Sequence, residues 1–128
     1  MKTEELRKEI IYNYLDDWVT GTWAELEDGT INVYGNVLIR NYPYPKLPVK
    51  FNKVSGYFDC SKNKLKTLEG CPDIVGTSFS CHSNLLFSLY GSPIGVGARY
   101  YCSNNPGKFS TIGVKKVCEV KEESIYAR

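Results

Sequence analysis

From residue 33 onward the apolar positions of the chain return every 21 residues, and the polar positions between them keep the same spacing. Val33, Val54, Val75, Val96 and Val117 form one column, Val37, Phe58, Phe79 and Tyr100 a second, and Ile39, Cys60, Cys81 and Cys102 a third. A polar column of Asn63, Asn84 and Asn105 comes next. Tyr44, Leu65 and Leu86, then Leu47, Leu68 and Leu89, resume the apolar pattern, and Gly70 and Gly91 with Pro72 and Pro93 close each unit. A period of this length marks stacked units, each too small to bury its apolar face alone.

The spacing inside a unit predicts its shape. Residues two apart on a strand share a face, so Phe58 with Cys60, Phe79 with Cys81 and Tyr100 with Cys102 are expected to point inward. Asn three residues after Cys suits a turn, where its short side chain can bond the backbone. Each unit then contributes one short strand, and the strands stack as a parallel sheet with a spacing of ~4.8 Å. Residues 3 to 18, TEELRKEIIYNYLDDW, carry Leu6, Ile10, Ile11, Tyr14, Leu15 and Trp18 along one helical stripe, with Thr3 as N-cap and Glu4 and Glu5 in the first turn. This helix is read as a cap over the first unit. WAEL, Glu27-Asp28-Gly29 and TINV read as strand, tight turn and strand; VCEV reads as a last strand, and KEESIYAR as a frayed tail or short helix.

The expected architecture is a β-rich solenoid of about four turns with a short parallel sheet and an N-terminal capping α-helix. It forms a single domain over 1–128: a helical cap at 1–20, a β lead-in with a degenerate first repeat at 21–53, three repeats at 54–116, and a C-terminal strand and tail at 117–128.

Composition changes this picture little. A chain of 128 residues, 42% hydrophobic and 23% charged, suits one globular domain. The formal net charge of +2 is too small to imply nucleic acid or an anionic membrane as partner. No apolar run is long enough to span a bilayer, and MKTEELRKEI does not read as a signal peptide. The five Cys residues are an odd number, and three of them share one column, so reduced core thiols in a cytoplasmic protein are expected over a disulfide framework.

The segment F-D-C-S-K-N-K-L fits the leucine-rich-repeat core LxLxxNxL, with Phe58, Cys60, Asn63 and Leu65 in the motif positions. The longer string VSGYFDCSKNKLKTLEGCPDIVG resembles the short leucine-rich-repeat-like proteins of large tailed bacteriophages, over roughly residues 28 to 105. Residues 106 to 116 depart from the pattern, with Gly107 in place of Leu and Phe109 and Ile112 displaced. The resemblance implies a leucine-rich-repeat-like fold and a site of action in the host bacterial cytoplasm, and it brings no catalytic residues.

Motifs for catalysis are missing: no nucleotide-binding glycine pattern, no GxSxG and no paired carboxylates on a regular element. Cys81 and His82 are neighbours, but adjacent strand residues face opposite ways, which leaves a core thiol and a surface imidazole. With no CxxC and a single His, no metal or other cofactor is expected. Two surfaces stand out instead. The outward sheet face is expected to present Arg40, Tyr57, Asp59, His82, Arg99 and Tyr101, the residue types of binding hot spots. Where one unit carries Lys64, Lys66 and Glu69, the next carries Leu85, Phe87 and Tyr90, an outward apolar patch of the kind that marks association sites unless the C-terminal segment folds over it. The expected function is therefore a non-catalytic module that binds a protein partner encoded by the host. Self-association into an assembly is the alternative. Nucleic-acid binding is remote, because the Lys residues form no stripe with the aromatics.

Overall fold

A computed structural model describes residues 3–128 of the chain. Helix α1 (Thr3–Trp18) runs directly into strand β1 (Val19–Glu25), and a turn returns the chain as β2 (Ile31–Leu38), antiparallel to β1. Strand β2 alternates apolar and polar residues and buries Ile31, Val33 and Val37. From there the chain coils into a parallel β-solenoid of about five turns. Its strands are β3 (Phe51–Val54), β4 (Phe58–Asp59), β5 (Ile74–Val75), β6 (Phe79–Ser80), β7 (Gly95–Val96) and β8 (Tyr100–Tyr101). A short helix α2 (Thr111–Lys115) and a 3-10 turn (Glu122–Ser124) lead into the last strand, β9 (Ile125–Tyr126).

Each coil carries two short strands where the apolar pattern predicted one. The long β2 splits the stack: its first half pairs with β3, then β5 and β7, and its second half with β4, then β6, β8 and β9. A corner separates the two ladders. There Gly76 passes so close to the coil below that a Cβ would lie 2.0 Å from the Ser55 carbonyl oxygen, so the chain bends at a position only glycine fits. Successive partners along the second ladder, Phe58 with Phe79 and Phe79 with Tyr100, are 21 residues apart.

The core fills the space inside the coils. Phe51, Phe58, Phe79 and Tyr100 form a continuous aromatic run with ring centroids 5.1, 6.0 and 5.0 Å apart. Cys60, Cys81, Cys102, Leu65, Leu68 and Leu86 are buried alongside them, as expected. Burying a side chain of this size contributes about 2 kcal/mol. The third side of each coil has no strand, and the Asn column holds it together with backbone bonds such as Leu85 N–H to the Leu65 carbonyl and Gly107 N–H to the Leu86 carbonyl. Asn84 Nδ2 donates to the carbonyls of Cys60 and Cys81, while its Oδ1 accepts from the Leu65 N–H. Asn105 Nδ2 repeats this with Cys81 and Cys102, and its Oδ1 accepts from the N–H groups of Asn84 and Leu86. The residue before each Asn takes a left-handed conformation, Lys62 and Ser83 at φ 57° and Asn104 at φ 55°. Among the described residues, every buried side-chain nitrogen and oxygen has a hydrogen-bond partner.

The ends of the stack depart most from expectation. In α1 only Leu15 and Trp18 are buried, closing the core with Tyr14 and Tyr42; Leu6 and Ile10 are about half exposed, because only the last turns of the helix lie over the first coil. Thr3 is already helical and is not the N-cap, and Met1 and Lys2 of the expected cap lie outside the described residues. Tyr44 is exposed; Tyr42 fills the core in its place, its hydroxyl donating to the Lys46 carbonyl. Val117 leaves the Val column. Helix α2, capped by Ser110 Oγ accepting from the Gly113 N–H, inserts extra residues, so Glu119 bridges to Gly95 and Val120 becomes the buried residue. The tail is no frayed end: Ile125 and Tyr126 pair with Tyr100 and Tyr101 and extend the second ladder, which adds the coil beyond the expected four.

Replacing Asn84 with Ala orphans the buried Leu65 N–H, while the Cys60 and Cys81 carbonyls each lose one of two Asn donors and keep that from Asn63 or Asn105. The variant is expected to lose about 2 kcal/mol of unfolding free energy, read as a lower urea midpoint, with Asn63→Ala in the less buried coil losing less.

Candidate functional site

Inward packing of Phe58, Cys60, Phe79 and Cys81 turns the residues between them outward onto the second ladder. Tyr57 and Asp59 come from one coil, Ser78, Ser80 and His82 from the next, and Arg99 and Tyr101 from the third. The register places Asp59 beside Ser80, and Ser80 beside Tyr101. At Ser78 and Ser80 the middle coil therefore offers only small hydroxyl side chains between larger neighbours, and a groove results. It encloses about 460 Å³ and is lined by Tyr57, Asp59, Thr77, Ser78, Ser80, His82 and Tyr101, with Phe58 beneath. A second groove of about 400 Å³ adjoins it, sharing Asp59 and His82 and adding Arg40, Asn41, Ser61 and Lys62.

Five of the six expected sheet-face residues thus line two connected grooves. Arg99 lines neither. It stands beside the first, where a hydrogen bond to the Tyr101 hydroxyl and the proximity of Tyr101 and Tyr126 hold its guanidinium above its ordinary range. Tyr101 itself is braced by Tyr126, the rings stacked at 4.8 Å and 17°. Asp59 Oδ1 accepts from both the N–H and the hydroxyl of Ser61, and His82 Nδ1 lies 2.9 Å from Ser83 Oγ. Arg40 reaches Asp17 at 3.9 Å, a loose exposed contact.

Lys62 and Tyr126 belong to the surface but carried no signal as candidates. Lys62 was legible only as a polar residue before the Asn column, and its left-handed backbone is what brings it to the groove. Tyr126 lay in a segment without repeat character, and the pairing of β9 alone places it against Tyr101.

The apolar patch lies elsewhere on the coils. Leu85, Phe87 and Tyr90 are 40%, 76% and 69% exposed, and Ile94 and Ile112 are also exposed. The C-terminal segment does not cover it, because that segment is committed to the end of the second ladder.

The thiols face the other way. All five Cys are free and buried. Burial pushes Cys102 and Cys118 up to about 11. Cys60 is raised well above the ordinary thiol range, first by a hydrogen bond with Cys71 and then by burial, and Cys81 is raised by burial. A thiol held protonated in this way is a poor nucleophile.

Comparison with protein-family models, with curated proteins and with solved structures finds no match. Among the described residues no helix is long and apolar enough to cross a membrane.

The raised thiols carry a pH dependence. The unfolded chain releases these protons near the ordinary thiol value of 9.0, and the folded chain only at about 11. The folded state binds more protons between those values, so stability is fully present below about pH 9 and declines toward about pH 11. Urea midpoints across that range should fall, and the five thiols should react slowly with a thiol reagent in buffer and rapidly in denaturant.

Proposed function

We propose that this chain is a non-catalytic protein-binding module of the leucine-rich-repeat type, a phage accessory protein that engages a host protein in the infected bacterial cytoplasm through its sheet face. The observation that carries the reading is the pair of adjoining grooves sharing Asp59 and His82, one flanked by Tyr57 and Tyr101 and the other by Arg40 and Lys62. Aromatic and Arg side chains beside a desolvated floor are the usual anchors of protein interfaces. The leucine-rich-repeat assignment is supported by the motif residues: Phe58, Cys60 and Leu65 are buried and Asn63 bonds the backbone. The phage origin rests on the sequence resemblance. The non-catalytic reading is supported by the thiols being held protonated and by Asp59 being bonded to Ser61.

A second reading is self-association through Leu85, Phe87 and Tyr90. The exposure of Phe87 and Tyr90 favours it, since soluble monomers rarely present large apolar side chains side by side.

Tyr57→Ala with Arg99→Ala should weaken capture of the partner at least about tenfold, the loss of two anchor residues, with circular dichroism unchanged; full retention would remove the sheet-face site. Phe87→Asp should lower the mass in light scattering if the patch joins copies of the chain. A monomeric mass in both wild type and variant would remove that second reading.

A further inference from the structure

We infer that the sheet face recognises an extended acidic peptide segment of its partner, with an aromatic or aliphatic side chain seated between Tyr57 and Tyr101 and carboxylates lying over Arg40 and Lys62. The inference rests on the sheet-face reading and names the chemistry of the occupant.

The shape comes first. Ser78 and Ser80 form the floor on the middle coil, with Tyr57 and Asp59 on the coil below and Arg99 and Tyr101 on the coil above. The two walls are two strand spacings apart, about 9.6 Å. The trench therefore runs along the strands, and its far end opens at His82 into the second groove. Ser78, Ser80 and His82 are alternate residues, so the path across them is about 13 Å, the distance between same-facing positions i and i+4 of an extended chain. An extended segment fits this geometry side chain by side chain.

Charge selects the occupant. Arg40 and Lys62 line the second groove and Arg99 stands beside the first, against Asp59 in the shared lining and Asp17, which meets Arg40 at 3.9 Å. Three cations against two carboxylates leave a local excess of one positive charge. One oxygen of Asp59 is already occupied by two hydrogen bonds from Ser61. The contact of Arg40 with Asp17 is long and exposed, so it yields readily to a better-placed carboxylate. The cations also sit unevenly. Arg40 and Lys62 mark the second groove and the tyrosines mark the first, with Asp59 between. A peptide can place its negative charges at one end and an uncharged side chain at the other. A nucleic-acid strand carries a phosphate at every step and would set one against Asp59.

The test is selection of a randomised peptide library on the intact protein, followed by fluorescence anisotropy with one enriched peptide. Wild type is expected to enrich Asp and Glu and deplete Lys and Arg. Reversing Arg40→Glu and Lys62→Glu together, both exposed and outside the core, should weaken the chosen acidic peptide by at least about tenfold and turn the selected charge toward Lys and Arg. Raising salt from about 0.05 to about 0.5 M should weaken the wild-type complex through screening. Enrichment with no charge preference, still lost in Tyr57→Ala, would overturn the acidic inference and leave the sheet-face site standing. Enrichment that no sheet-face variant disturbs, or no enrichment at all, would overturn both. Tighter binding of a short oligothymidylate than of any selected peptide would also overturn it.

Discussion

Everything in this structure depends on bonding one coil to the next, and on the unstranded side the Asn column shares that task with a few backbone bonds, such as the Leu85 N–H to the Leu65 carbonyl. Along the two ladders the backbone supplies its own partners, since N–H groups of each coil meet carbonyls of the coil above or below. Where the chain turns after Cys60 and Cys81, the carbonyls have no strand beside them. Asn84 and Asn105 supply the missing donors and acceptors, each tying its own coil to the one below. A buried carbonyl without a partner costs about as much as several good contacts contribute, so the side chain that fits there can be little else. The left-handed residue before each Asn, at φ near 57° for Lys62 and Ser83, is part of the same device. It aims the Asn amide back into the stack.

That inner constraint shapes the outer surface. Because Asn, Leu and Cys must face inward at fixed places, the residues between them are free to vary, and the variation makes the site. Ser78 and Ser80 stand where the neighbouring coils carry Tyr, Asp and Arg, which opens a groove one coil wide. Lys62 reaches the second groove through the left-handed turn that seats Asn63. Leu85, Phe87 and Tyr90 occupy outward positions that hold Lys or Glu one coil earlier, so the apolar patch is likewise a product of free positions on a rigid frame. The frame is common to all coils, and the chemistry differs between them.

The stack also has two unlike ends. At the first coil β1 pairs with β2 across its whole length while Leu15 and Trp18 close the core, so both ladders start from one continuous strand. At the last, α2 shifts the register, Val120 takes the place in the core that Val117 would have had, and β9 extends only the second ladder. The consequence for the surface is Tyr126, which braces Tyr101 and fixes one wall of the groove. A cap thus shapes the proposed site.

The sequence by itself determined the period, the inward columns of Phe, Cys and Leu, the turn at Asn, the helix over one end, and the outward placement of Tyr57, Asp59, His82, Arg99 and Tyr101. Those follow from alternation and spacing, which act between residues close in the chain. Tertiary structure alone decided that each coil has two strands, because the corner at Gly76 exists only when another coil presses against it. It also decided that Tyr42 and not Tyr44 fills the first coil, that Val117 gives way to Val120, and that the C-terminal tail becomes a strand. Each of these turns on which of several similar residues meets the core, and the neighbouring coil makes that choice. The joining of Arg40, Lys62 and His82 into one groove has the same cause, since residues about 20 apart become neighbours only when coils stack ~4.8 Å apart.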